Sequence, residues 1–156
     1  MIEYKLDDLE KLEKELEYIQ KHVIVVGVLG EEGKGAGEMK HKIATIKEYA
    51  IFNEYGTSRG IPPRPFFRQS VMTENSIKII KSFMEEQINQ VILGNITGQA
   101  YLENVGTFVV KRIKSVIKNG NFTPNKESTI KRKKGSSPLV DTGSLINSIS
   151  YMIVGV

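Results

Sequence analysis

Apolar residues recur three and four positions apart in four stretches of the chain, which is the spacing that places them on one face of an α-helix. The first stretch predicts an amphipathic helix over about 6–21 that begins at Asp7 or Asp8 as its N-cap. Its outer face is acidic and is expected either to be solvated or to contact the basic surface of a neighbouring subunit. The residues that form these faces, apolar except for Asn53 and Arg112, are Leu6, Leu9, Leu12, Leu16 and Ile19; Ile43, Ile46, Ala50 and Asn53; Val71, Ile77, Ile80, Met84, Ile88 and Val91 or Ile92; and Tyr101, Val105, Phe108 or Val109, Arg112, Ile113, Val116 and Ile117.

Turn-forming and capping residues mark the ends of the later helices. Gly56 ends the second helix, since a glycine just past the last turn adopts a positive φ at little cost. Thr73 or Asn75 is expected to cap the third helix, and Gly120 to close the fourth. A break at 94–98 separates these two longer helices.

Two further stretches have the patterns of β-strands. Residues 23–29 are mostly β-branched and predict a strand that is buried on at least part of both faces. Near the C-terminus, Ile149, Tyr151 and Ile153 alternate with Ser148, Ser150, Met152 and Val154, and this period of two predicts a second strand.

Residues 53–68, which we call the arm, combine a turn with prolines, aromatic residues and arginines. The prolines at 62, 63 and 65 fix φ and remove backbone donors, so the arm is expected to run extended. Phe66 and Phe67 would then point to opposite faces, so that one enters the core and the other is free to meet a partner.

Two interpretations of the arm stay open from its residue types. It is either a rigid docking element, whose arginines suit carboxylates or phosphates, or a buried connection between helices with solvated arginines. The residues that would contact a partner in the first case are Arg59, Arg64, Pro65, Phe66, Phe67 and Arg68.

Composition narrows the possible chemistry of the 156-residue chain. The absence of cysteine excludes disulfides, thiolate metal sites and a cysteine nucleophile, and two histidines are too few for a histidine metal cage. The acidic first residues lack a signal-peptide core and no apolar run is long enough to span a membrane, so a cytoplasmic site of synthesis is expected. The glycines of residues 30–37 lack the spacing of a phosphate-binding loop.

Charge is distributed unevenly along the chain. Residues 1–100 have 13 basic and 15 acidic side chains, a net −2, whereas residues 101–156 have 9 and 3, a net +6. This asymmetry suits either a nucleic-acid face or subunits that pack acidic against basic surface. The residues singled out for contact with DNA or an acidic surface are Lys131, Arg132, Lys133 and Lys134.

Three pieces of the sequence together resemble the phage tail-completion or neck proteins, also called virion morphogenesis proteins. The family's N-E-[FY]-G-T turn matches residues 53–57, and its I-P-x-R-P-F-[LF]-R arm matches residues 61–68. Its P-L-[IV]-D-T-G-x-[LM]-x-x-S-[IL] motif matches residues 138–149. The order is that of the family, with two helices between the second and third pieces, so the resemblance covers roughly residues 20–155.

The resemblance implies a small α+β protein without catalysis, cofactor or metal, in which a small antiparallel sheet packs against several helices, two of them long. One domain over residues 1–156 would form a ring in the virion, joining the head connector to the tail terminator. Loops near 30–41 and 120–138 are expected to be mobile and to order only in the assembled particle.

Asp141, Thr142 and Gly143 admit other interpretations. The triplet resembles the D-T-G of aspartic proteases, of which a homodimer would need one copy per chain. Asp141 or Thr142 is, however, better placed to cap a short helix through Ser148, with Gly143 allowing close approach to another backbone. A further alternative is a DNA-binding module that uses the basic C-terminal third.

Overall fold

The computed structural model describes residues 6–29, 45–131, 138–140 and 143–156. These residues form seven helices and a two-stranded antiparallel sheet, which confirms the expected α+β class with a small sheet packed on helices. The elements in chain order are α1 (Leu6–Gln20), β1 (His22–Val28), α2 (Ile46–Tyr55), α3 (Phe66–Val71), α4 (Glu74–Ile92), α5 (Gly98–Asn119), α6 (Glu127–Ile130), α7 (Ser144–Ser148) and β2 (Ile149–Gly155).

Threonines cap the N-termini of the two longest helices, α4 and α5. The hydroxyl of Thr73 accepts a hydrogen bond from the backbone N–H of Ser76 at 3.2 Å at the start of α4, and Thr97 begins α5 in the same way. The predicted helix over about 6–21 is present as α1, but the predicted N-cap was wrong, because Asp7 and Asp8 lie in the first turn. There they still face the positive end of the helix dipole.

The expectation that the first strand is buried on at least part of both faces was wrong at Val23 and Val25, which are exposed. In the register of the sheet, Val26 pairs with Tyr151 and Ile24 with Ile153, and these residues pack towards α5. Successive residues of a strand face opposite sides, so the pairs between them lie on the outer face. That face is apolar and exposed, and its cross-strand pairs are Val23 with Val154 and Val25 with Met152.

The longest helix, α5, joins two apolar clusters. Near its beginning, Tyr101, Leu102 and Val105 pack with Val91 of α4 and with residues of α1. Near its end, Ile113 and Ile117 pack in a second cluster. Its other buried members are Ala50, Phe66, Phe122, Leu139, Leu145, Ile146 and Ile149.

The sheet lies very close to the middle of α5. A Cβ at Gly106 would be 2.5 Å from Cδ2 of Tyr151 in β2, a distance at which two carbon atoms clash. The aromatic ring therefore occupies the space that any other side chain at 106 would need.

Candidate docking surface at the arm

The arm is held by an arginine that is buried. The side chain of Arg64 is 4% exposed, and its Nη1 donates to Oδ1 of Asn53 at 2.9 Å. The remaining bonds go from Nε to the carbonyl of Thr123 at 2.9 Å, and from Nη2 to Oδ1 of Asn125 at 3.0 Å and to the carbonyl of Pro124 at 3.3 Å. Arg64 therefore joins α2, the arm and the segment after α5, and is not exposed for docking.

The acceptors of Arg64 are neutral amide and carbonyl oxygens. Burial lowers the pKa of its guanidinium from the ordinary value, since the charged form loses hydration. The group still remains protonated, because arginine does not lose its proton in proteins. The four hydrogen bonds replace the water that a solvated arginine would bind.

A second buried contact fixes the start of α3. The carboxylate of Glu54 accepts hydrogen bonds from the backbone N–H groups of Phe67 and Arg68 at 2.9 and 3.1 Å. It thereby caps α3, because the N-cap residue of that helix, Pro65, has no side chain that could do so. Nε of Arg68 donates to the same carboxylate at 2.9 Å. We call Asn53, Glu54, Arg64 and Arg68 the arm lock.

The turn between the two halves of the arm depends on Gly56. This residue has φ of +76°, as its predicted role in ending the helix requires. A Cβ at this position would also be 2.9 Å from the carbonyl oxygen of Ile61 and 3.0 Å from the nitrogen of Pro63. At the tip of the turn, Arg59 is exposed.

The expected extended conformation of Phe66 and Phe67 was wrong. Both lie in the first turn of α3, because Glu54 supplies acceptors for the N–H groups there. Phe66 is 2% exposed and belongs to the cluster at the end of α5, whereas Phe67 is half-buried against the same cluster. Phe66 is therefore a core residue.

The exposed apolar side chains near the arm are ones that the sequence interpretation did not select. Ile51 and Tyr55 are exposed on α2, one helical turn apart, and Tyr55 is 65% exposed. The guanidinium of Arg68 stacks over the Tyr55 ring, 4.8 Å from its centroid. Arg68 also lines a shallow, open depression with the exposed Met72. The sequence could have indicated that Ile51 and Tyr55 are exposed, since both fall outside the apolar stripe given by the helical period of α2.

The described basic residues do not all face solvent. Lys131, at the end of α6, is exposed, while Arg132, Lys133 and Lys134 lie outside the described residues. Arg112 of α5 is instead used internally, donating to the hydroxyl of Ser76 at 3.1 Å.

The distal motif is described only in part. Asp141 and Thr142 lie outside the described residues, so their expected role in capping α7 stays a prediction. The N-cap position of α7 is occupied by Gly143. Gly143 has φ of +80°, and among the described residues a Cβ there would approach Nδ2 of Asn147, at 3.6 Å. The positive φ is a backbone conformation that favours glycine at this position.

The loop expected at 120–138 contains secondary structure and contacts where it is described. Residues 123–125 accept three hydrogen bonds from Arg64, and α6 follows them. The expected loop near 30–41 lies outside the described residues.

Comparison with protein-family models, with curated proteins and with solved structures found no match. Within the described part of the chain, no cluster of three or more histidine and carboxylate side chains could hold a metal ion. None of the described helices is long and apolar enough to cross a membrane.

Proposed function

We propose that this chain is a structural virion protein, a neck or tail-completion subunit of a tailed phage, prophage or phage-tail-like particle. It would form a ring with further copies of itself and join the head connector to the tail terminator. The proposal rests on the arm lock. All four of its residues belong to the two motifs that resemble the neck family. Together they join the end of α2 to the start of α3, and Arg64 also binds the segment after α5.

A joining protein has to present a surface of fixed shape, and the arm lock supports that role. The lock holds α2 and α3 together through buried hydrogen bonds, so their outer surface has little conformational freedom to lose when a partner binds. Apolar and aromatic side chains that a partner would bury lie on this surface, namely Ile51, Tyr55 and Met72. Tyrosine and arginine are also the residues most often found at the energetic centre of interfaces.

Non-specific contact with DNA is a second candidate for the basic residues. Lys111, Lys118, Lys126 and Lys131 are exposed and follow one another along the C-terminal third. In a ring through which DNA passes, such side chains would bind phosphates without reading sequence. Binding of random-sequence duplex DNA by the purified chain should then fall steeply as salt is raised.

The experiment that tests the joining function is deletion of the gene in a particle-producing strain, followed by complementation. Deletion should give separate full heads and finished tails in electron micrographs, and the intact gene should restore joined particles. Joined, complete particles from the deletion strain would contradict the proposal.

Complementation with a double variant tests the docking surface. I51K combined with Y55K should leave the protein folded, because both side chains are exposed, with a modest fall in the melting temperature from the lost stacking of Arg68 on Tyr55. The double variant should nevertheless fail to restore joining. The matched control is I77K combined with L93K, which places two lysines on exposed apolar positions, one in α4 and one at its C-cap. If both double variants restore joining equally, the docking surface is not at Ile51 and Tyr55.

A further inference from the structure

Helix α1 has a stripe of three carboxylates. Glu10, Glu13 and Glu17 are exposed and stand at positions i, i+3 and i+7, which places them on one face of the helix. We call these three residues the acidic stripe. Leu9, whose side chain is 48% exposed, borders the stripe one turn before Glu13. Although Glu17 pairs with Lys21, α1 as a whole has six acids and two lysines.

Helix α5 has a stripe of three lysines with the same spacing. Lys111, Lys114 and Lys118 also stand at i, i+3 and i+7; the first and last are exposed and the middle one is half-exposed. We call these the basic stripe. Among the residues that the structure describes, none of the three forms an ion pair with an acid. The side chain of Lys118 in the last turn also suits the negative end of the helix dipole.

The two stripes do not neutralise each other within one copy. Helix α1 is fixed near the start of α5, where the carboxylate of Glu15 accepts from the backbone N–H of Gly98 at 2.6 Å. The basic stripe begins 13 residues further along α5, which is about 20 Å at the rise of an α-helix. The acidic stripe also faces solvent and not α5. Among the described residues, no carboxylate of the acidic stripe forms an ion pair with a lysine of the basic stripe.

We propose that the acidic stripe of one copy docks on the basic stripe of the next. Equal spacing lets the two helices lie side by side with three carboxylates opposite three ammonium groups. Because the two stripes are different surfaces, the contact is head-to-tail, and repeating it closes a ring or extends a filament. The stripes would then form the interface of the proposed ring; closure into a ring rests on the proposed function, whereas the contact itself does not.

Purified full-length chain should associate at low salt and should dissociate as salt is raised, as measured by sedimentation equilibrium. We expect the dissociation constant to rise at least about tenfold between roughly 0.05 and 0.5 M salt, since exposed ion pairs are screened. Changing all three glutamates of the acidic stripe to lysine should weaken association by at least about tenfold, and so should changing all three lysines of the basic stripe to glutamate.

The most decisive measurement uses an equimolar mixture of the two charge-reversed variants. Each variant alone has two stripes of one sign, but together they offer opposite stripes, so association should return in the mixture. A chain with all six substitutions should again associate with itself. The matched control for reversal of the acidic stripe is E74K/E85K/E86K on α4. It makes the same change in net charge at exposed positions and should associate like the unmodified chain.

Three results would overturn the inference, provided that circular dichroism shows each variant folded. The unmodified chain could remain monomeric at low salt, the mixture could fail to associate, or the reversed basic stripe could abolish DNA binding while self-association is unchanged. Joining of heads and tails is scored separately in the complementation experiment. Failure of the stripe contact and failure of the joining function are therefore distinguishable.

Discussion

At the scale of single residues, the arm uses its charged groups mainly to hold its own backbone. In place of water, the guanidinium of Arg64 makes four hydrogen bonds to neutral acceptors. The carboxylate of Glu54 accepts hydrogen bonds from two backbone N–H groups and from the side chain of Arg68. Such groups stabilise a fold only while all their partners are present, because a charge left buried without a partner is costly. The lock is therefore sensitive to loss of any one acceptor.

Replacing Asn53 by alanine should lower the free energy of unfolding by about 1–3 kcal/mol. The change removes the acceptor of Nη1 of Arg64 and leaves that buried donor without a partner. Urea unfolding of the purified variant measures the loss. Arg59→Ala, at the exposed tip of the same arm, should change the free energy by no more than about 0.5 kcal/mol. Equal effects of the two substitutions would show that the lock does not stabilise the arm.

The sequence could predict that the arm is rigid, but not what its arginines do. Prolines around Arg64 are visible in the sequence, whereas its acceptors at Thr123, Pro124 and Asn125 are 59 to 61 residues away. Likewise, the extended conformation expected at Phe66 fails because Glu54, from the preceding helix, caps the turn that begins there. Local propensity identifies neither of these long-range partners.

At the scale of elements, helices with one apolar stripe were predictable, and strand burial was not. The period of α4 and α5 and the threonine that caps α4 are local signals, so both helices were predicted. The run of β-branched residues in β1 suggested burial on both faces, but α5 covers only one face of a sheet of two strands. Which face of a sheet is covered depends on where the other elements pack. The local sequence of β1 carries no information about that arrangement.

The packing of β2 on α5 makes Gly106 a sensitive position of that helix. Replacing a helical glycine by alanine normally stabilises a protein by up to about 1 kcal/mol. At Gly106 the new Cβ would overlap the ring of Tyr151, so the substitution should destabilise by about 1–3 kcal/mol. The measurement is urea unfolding of the single variants G106A and Y151A and of their combination.

The double variant supplies the control for this prediction. Once Tyr151 is alanine, the clash is absent, so adding G106A should no longer destabilise the protein. A stabilising effect of G106A in the presence of Tyr151 would mean that the sheet does not approach α5 as closely as the structure has it.

At the scale of the whole molecule, two apolar clusters share their supporting elements. Helix α5 runs through both, with Leu102 in one and Ile117 in the other. The inner face of the sheet does the same, since Ile24 and Ile153 contact the first cluster while Val26 contacts the second. Neither cluster can lose its packing without exposing residues of an element that the other needs.

The two clusters should therefore unfold together. Leu102→Ala and Ile117→Ala remove buried side chains from different clusters, and each should lower the free energy of unfolding by about 2–5 kcal/mol. Native-state hydrogen exchange, read peptide by peptide, is the measurement. The most protected amides in both halves of α5 should lose the same protection in either variant, because they exchange only when the whole chain unfolds. If Leu102→Ala lowers protection near Tyr101 but leaves the amides around Ile117 unchanged, the first cluster opens on its own and the chain is not one cooperative unit.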